Sequence, residues 1–165
     1  MDVRVARPEE HAEAGRVTAL AYREYVRPGD ADWEPYLSRI ADVGERAGRT
    51  TILVAVDDGR LLGSLTLELA GRVRDDDEHR PLADREAHIR MLGVDPAVRR
   101  RGVARALMTE AELLARDAGK SFITLNTTKR MRAAQTMYEG LGYERTDDTV
   151  FPDGFVLLAY RKTLG

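Results

Sequence analysis

The residues best placed to do chemistry lie in one segment, Met91-Leu92-Gly93-Val94-Asp95-Pro96-Ala97-Val98-Arg99-Arg100-Arg101-Gly102-Val103-Ala104. An apolar run that reads as a buried strand ends at Val94. A short arginine-rich turn follows, and a helix is predicted to begin at Gly102. A helix N-terminus leaves about four backbone N–H groups without partners and carries positive partial charge, which suits an anion such as a pyrophosphate. Glycine at 102 would let phosphates approach the backbone, small Ala104 keeps the next turn clear, and the arginines add charge-assisted contacts. The run reads equally well as a solvated basic turn, because such runs are common on surfaces. A dinucleotide-binding loop needs three spaced glycines at the first strand of a βαβ unit, and only Gly102 stands in this turn. A P-loop is excluded, since no Gly-Lys-Ser or Gly-Lys-Thr occurs.

A second group, Tyr22, Glu24, Tyr25, Trp33 and Tyr36, gathers aromatic rings and an acid within a short stretch. Rings with a carboxylate can recognise a cationic amine. The same rings can simply pack helices against a sheet, and on aromatic burial alone that reading is favoured. Asp75-Asp76-Asp77-Glu78 reads as a solvated loop rather than a substrate clamp or metal site. His11 and His79 read as surface residues, and no spacing among the 3 histidines and the acids suggests a metal site. The chain has no cysteine, which excludes disulfides, thiolate zinc sites and a cysteine nucleophile. A formal net charge of -2 argues against a broad nucleic-acid-binding surface.

The 165 residues are expected to form one domain, 1–165, with ordinary hydrophobic (43%) and charged (33%) fractions. The N-terminus does not read as a signal peptide, no stretch approaches a membrane span, and a cytoplasmic location is expected. Positive charge is nearly all arginine, with lysine only at Lys120, Lys129 and Lys162, which together with abundant alanine and glycine points to a GC-rich bacterial source.

These residues need elements to position them. Val3-Arg4-Val5 alternates as a short strand, and Pro8-Glu9-Glu10 starts a helix carrying Val17, Leu20 and Ala21. Pro28-Gly29-Asp30 breaks it, and a second helix is predicted from about Pro35 to Arg46. Strands Thr51 to Val56 and Leu61 to Leu69 flank the tight turn Asp57-Asp58-Gly59. Arg72 to Asp84 reads as a loop and Ala87 to Val94 as a central strand. The helix from about Gly102 to Ala118 has Val103, Leu107, Ala111 and Leu114 on one face and ends at Gly119. Strand Phe122 to Leu125, helix Met131 to Glu139 and strands Tyr143 to Val150 and Phe155 to Tyr160 complete the chain. The order βααβββαβαββ implies a mixed α/β fold with about seven strands and helices on the sheet faces.

With these elements in place, Ile89 to Val94, Asp95-Pro96 and Arg99-x-x-Gly102-x-Ala104 resemble the acetyl-CoA signature of the GNAT N-acetyltransferases, usually written Arg/Gln-x-x-Gly-x-Gly/Ala. Ala133-Ala134-x-x-Met137-Tyr138-Glu139-x-Leu141-Gly142-Tyr143 is similar to that family's second signature. The resemblance runs from about Val3 to Leu164 and is most specific from Arg90 to Tyr143. One departure is Met131, where many members have asparagine; Asn126 or Thr127 is the alternative contact on the CoA side.

The resemblance implies a sheet splayed between the fourth and fifth predicted strands, and acetyl-CoA as co-substrate with no metal. Leu92, Gly93 and Val94 would offer backbone groups to the pantetheine arm. Arg99, Arg100, Arg101, Gly102, Val103, Ala104 and Arg105 would hold the pyrophosphate. It further implies direct attack of a primary amine on the thioester in a ternary complex, with Tyr138 as general acid for the departing thiolate. The competing reading of Tyr138 is a core tyrosine on the apolar face of its helix. Glu86 and His88 share one strand face and are the candidate bases. Each also has a structural reading, Glu86 paired with Arg85 or Arg90 and His88 hydrogen-bonded on a sheet, and a proton can instead leave through water. Tyr22, Glu24, Tyr25 and Trp33 are the candidate substrate residues. The partner is a small-molecule or peptide amine, with no nucleic acid or membrane, and a homodimer is left open. The alternative function is a non-catalytic acyl-CoA-binding sensor of the same fold.

Overall fold

The computed structural model describes residues 1–25, 33–75 and 78–165. The predicted helix break at Pro28-Gly29-Asp30 lies outside the described residues, as do Asp76 and Asp77. The described elements are β1 (Asp2–Val5), α1 (His11–Arg23), α2 (Trp33–Ala41), α3 (Val43–Ala47), β2 (Thr51–Asp57), β3 (Arg60–Glu68), β4 (Arg72–Asp75), β5 (Glu78–Pro81), β6 (Glu86–Val94), α4 (Val103–Asp117), β7 (Phe122–Thr128), α5 (Arg132–Gly140), β8 (Glu144–Arg145), β9 (Thr149–Val150) and β10 (Val156–Thr163). The main sheet runs β1-β2-β3-β6-β7-β10-β8, with β9 also on β10. All pairs in it are antiparallel except β6 with β7. This is the mixed α/β architecture expected from the element order.

Local chemistry explains the element ends. Pro8 opens a 3-10 turn before α1, and the Glu10 carboxylate accepts the Arg7 N–H at 2.8 Å and holds Arg4 at 2.7 Å. Asp58 (φ 48) and Gly59 (φ 76) form the two-residue turn between β2 and β3, whose hand matches strand twist. Alternation then divides the apolar residues between two faces of the sheet. Leu53, Leu65, Leu67, Ala87, Ile89, Ile123 and Leu125 pack with Leu107, Met108 and Ala111 of α4. Ile52 and Val54 pack with Ala14 and Val17 of α1 and Val43 of α3. Burial of each large side chain in these clusters is worth about 1.5–3 kcal/mol.

Three predicted boundaries are corrected. The single helix over Pro35 to Arg46 is two, because Asp42 leaves helical geometry (φ -83, ψ 64) and accepts the Glu45 N–H at 3.2 Å, starting α3. Buried Arg46 then turns back to the Arg39, Ile40 and Asp42 carbonyls, satisfying the end of α2. Arg72 to Asp84 contains the ribbon β4–β5, held by its backbone ladder without apolar alternation to announce it; this also corrects the loop expected around Asp75 and Glu78. Tyr143 to Val150 is two short strands, each pairing β10, because Glu144 to Val150 is polar and exposed.

The strand that positions the site is β6. It pairs with β7 only from Glu86↔Phe122 to Ile89↔Leu125, while its pairing with β3 continues to Val94. At Met91 the backbone takes φ 55 and the register against β3 shifts, a β-bulge that bends β6 away from β7. Beyond Ile89 and Leu125 the two parallel strands therefore diverge, the splay lying where the family resemblance put it. A positive φ at a non-glycine residue costs on the order of 1–3 kcal/mol and persists where the surroundings over-determine it. Here Met91 is held in a cluster with Leu37 and Ile40 of α2.

Candidate functional site

The site has two ends. One is the turn into α4. Buried Asp95 accepts the Ala97 N–H at 2.9 Å and pairs with Arg60 at 2.7 Å, fixing a 3-10 turn over Pro96–Val98. Arg100 (φ 65) and Gly102 (φ 78) then take left-handed backbone, the conformation that makes glycine the easy residue at 102. No side chain caps α4, and its first turn holds no acid, unlike α1 with Glu13. Its leading N–H groups thus meet the solvent edge with exposed Arg99, Arg100, Arg101 and Arg105 around them. Val103 points its side chain into the core at 2% exposure, so what it offers a ligand is its N–H; Ala104 is half-buried. Such an arrangement suits an anion by charge and geometry. Arg99 is paired with Glu24 at 2.5 Å, and Arg101 approaches Asp57 at 4.0 Å.

The other end is a cavity of about 640 Å³ in the splay. Ile89, Arg90 and Met91 of β6 form one wall, and Asn126, Thr127 and Thr128 of β7 the other. Tyr22 of α1, Trp33, Tyr36 and Arg39 of α2, Met131, and Phe151 to Asp153, Phe155 and Leu157 complete it. Leu92, Gly93 and Val94 continue β6 beyond this wall, and no strand among the described residues pairs their outer edge. α1 also packs closely on Gly93: a Cβ there would sit 3.0 Å from Thr18 Cα.

The structure separates the four substrate candidates. Tyr22 and Trp33 line the cavity, whereas Glu24 and Tyr25 do not. Burial would raise the Glu24 pKa, but hydrogen bonds from Arg99 and Tyr25 and the Arg99 charge together outweigh it and hold the carboxyl below its ordinary value. Burial and the neighbouring Glu24 carboxylate push the Tyr25 hydroxyl up to about 12.

Glu86 and His88 do share a face, with Thr124 of β7 between them. The Thr124 hydroxyl donates to Glu86, and His88 Nδ1 lies 2.8 Å from Thr124 Oγ1. A hydroxyl that gives its proton to Glu86 must accept from His88, so Nδ1 carries hydrogen. Glu86 also receives two bonds from Arg80, at 2.8 and 2.5 Å, and the Ala83 N–H at 3.2 Å. Burial alone would raise the Glu86 pKa; these donors reverse that and hold it at about 2. Its partner is thus Arg80, not Arg85, which donates to the Gly119 carbonyl, nor Arg90, which holds Glu68 at 3.2 Å. Such a carboxylate orients its neighbours well and accepts a further proton poorly.

Tyr138 is 6% exposed, in the core between Tyr143 (ring centroids 6.1 Å apart) and Tyr160 (5.8 Å), and it does not line the cavity. Burial raises its hydroxyl pKa, with Tyr25 and Tyr160 adding to the effect. The spacing of the second signature has a backbone cause. Gly142 (φ 91) reverses the chain after α5, with Gly142 N–H on the Glu139 carbonyl at 3.1 Å and Tyr143 N–H on the Tyr138 carbonyl at 3.0 Å. The Tyr143 hydroxyl then donates to buried Glu112, which Lys162 also holds.

Sequence reasoning missed Arg39, Arg90, Phe151 and Phe155 as cavity residues. Arg90 was in sight only as a partner for Glu86, and the phenylalanines flank a turn far along the chain. Alternation of Glu86, His88 and Arg90 on one face was the available signal for Arg90. Among the described residues, no group of three or more histidines and acids could hold a metal ion, and no helix is long and apolar enough to cross a membrane.

The sequence matches the acetyltransferase (GNAT) family over residues 16–143, and the chain belongs to that family. The fold is shared with yncA of Salmonella typhimurium, solved with its cofactor acetyl-CoA: TM-score 0.71, 19% identity, covering 100% of this chain and 94% of that one. It is shared with the PaiA N-acetyltransferase of Thermoplasma acidophilum in complex with coenzyme A: TM-score 0.73, 14% identity, 98% of each chain. A 66-residue stretch, 40% of this chain, is 35% identical to the Mus musculus protein named "Probable N-acetyltransferase family 8 member 5" and spans 29% of that protein's length.

Proposed function

We propose that this chain, as one domain over residues 1–165, transfers an acetyl group from acetyl-CoA to a primary amine by direct attack in a ternary complex, as a cytoplasmic bacterial enzyme. The observation that carries this reading is the join of an uncapped, arginine-flanked helix start to a splay whose β6 edge is unpaired. The first suits a pyrophosphate and the second an extended amide-bearing arm, as expected of acetyl-CoA. Arg99 to Arg105 hold the phosphates, Leu92 to Val94 offer backbone groups to the arm, and Asn126 flanks it from β7. In the reaction the amine nitrogen bonds to the thioester carbon and the C–S bond breaks. A backbone N–H near Leu92 faces the developing oxyanion. His88, oriented through Thr124 by Glu86, takes the amine proton. Tyr138 gives its proton to the leaving thiolate.

Binding is tested by Gly102→Asp, which places a side chain and negative charge at the helix start. Calorimetry should show weakened CoA affinity in the folded variant; unchanged affinity discards the phosphate site. Turnover is tested by free-thiol release across a panel of amines. A second reading, a non-catalytic acyl-CoA-binding protein, is favoured by one observation, the absence of Tyr138 from the cavity wall. Tyr138→Phe separates the two. Loss of general acid catalysis slows kcat by about 10²-fold or more with CoA affinity kept, whereas a packing tyrosine loses about 1 kcal/mol of stability and little turnover.

A further inference from the structure

The amine-transfer reading leaves the acceptor open, and the cavity walls narrow it. Arg39 and Arg90 both line the cavity, against Asp153 as the acid among its described lining residues. Arg90 stands on β6 one residue before the bulge, where the splay begins. Behind it, buried Glu68 accepts from Arg90 at 3.2 Å and sets the direction of the guanidinium. Arg46, 3% exposed, lies close enough for Arg90 to help burial lower its pKa to about 10. Arg46 donates to the Thr66 hydroxyl and to backbone carbonyls rather than to a carboxylate, so positive charge gathers beside Arg90 at the cavity floor. A polyamine or other polycation would enter against that charge. An anionic group would complement it, and an arginine fork suits a carboxylate in particular. Five N–H donors let one guanidinium hold Glu68 and a ligand carboxylate together. Around this charged floor the walls are rings: Tyr22, Trp33, Tyr36 and Phe155.

Resting on the acetyl-transfer reading, we infer that the acceptor is a free α-amino acid with a large apolar or aromatic side chain, its carboxylate held by Arg90 with Arg39 and its side chain among the rings. The α-amine then lies at the mouth of the splay, beside the β6 edge assigned to the thioester arm. Arg90 and Arg39 act as specificity residues.

The test compares L-phenylalanine, L-phenylalaninamide, 2-phenylethylamine and spermidine as acceptors with acetyl-CoA, read by thiol release. The carboxylate should raise kcat/KM by about 10- to 100-fold over the two analogues that lack it, the worth of a charge-assisted hydrogen bond. The amide has the less basic amine and so the larger neutral fraction, so its disadvantage cannot come from protonation. Arg90→Met should collapse the ratio of acid to amide and Arg90→Lys should restore part of it. A purely structural Arg90–Glu68 pair would lower stability and leave the ratio intact. Arg39→Ala, at an exposed position on α2, gives a second readout should Arg90→Met fail to fold. Equal or better use of the amide or spermidine, or an unchanged ratio in the folded variants, overturns the inference. If no amine turns over, the transfer reading fails. The inference is then decided by calorimetry on CoA-loaded protein, where L-phenylalanine must bind more tightly than its amide and equal affinity overturns it.

Discussion

The two halves of β6 use one strand in opposite ways. From Glu86 to Ile89 it pairs with β7, and at His88 and Ile89 with β3 as well, and its polar side chains are hydrogen-bonded: Glu86 with Arg80, Thr124 and Ala83, His88 with Thr124. From Arg90 to Val94 it is paired only with β3, bends at Met91, and gives one edge and one arginine to a cavity. A closed half held by these bonds fixes the direction in which the open half leaves the sheet. The site is thus a continuation of a hydrogen-bonded core segment, so damage to either half should show in a different observable.

The largest expected effect breaks the closed half. Leu125, 1% exposed opposite Ile89, sits where β7 parts from β6. Leu125→Ala should cost about 2–5 kcal/mol by chemical denaturation, as buried leucine truncations do. A loss below about 1 kcal/mol would mean that the divergence point is already loose.

Next comes the charge that saturates this half. Glu86 has a folded pKa near 2 against an ordinary 4.5, so its ionised form is favoured by folding. A depressed carboxylate stabilises above its unfolded pKa, and that stability drains away as pH falls from about 4.5 towards 2. The shift corresponds to on the order of 3 kcal/mol at neutral pH. Glu86→Gln should lower neutral-pH stability and flatten this acid limb; an unaltered limb assigns the acid sensitivity elsewhere.

The smallest effect on stability sharpens the open side. Arg99→Ala removes an exposed pair with Glu24, worth about 0–1 kcal/mol to the fold. It should nevertheless weaken CoA binding several-fold and reduce its salt dependence, both read by calorimetry over a salt series. A melting shift without a change in affinity would make Arg99 a strut rather than a ligand.

What was legible in the sequence follows the same division. The turn from Asp95 to Ala104 is contiguous and shaped by backbone and local charge, so its residue types announced a helix start flanked by arginines. The Tyr138-to-Tyr143 spacing was legible too, because it encodes a helix stop. The cavity was not, since its walls come from α1, α2, β6, β7 and the segment after Phe151, which only the folded sheet brings together. Trp33 and Tyr22 could be picked from their neighbourhood, but nothing in it separated them from Tyr25, which turns aside with Glu24. The β4–β5 ribbon escaped notice because its ladder is built mostly of charged residues without apolar alternation. Asp42 was the one available sign that the helix before β2 would break.

The asymmetry of α5 bears on how the molecule breathes. Its last turn is pinned through Gly142, Tyr143 and buried Glu112, whereas its first, at Met131 on the cavity wall, has no side-chain cap. Opening is cheapest where a helix has least tertiary support. Amide exchange along this helix should therefore be graded, fastest at Arg132 and Ala133 and slowest near Tyr138. The helix would fray towards the cavity rather than away from it, and an occupant of the cavity would slow the fast end while leaving the slow end unchanged.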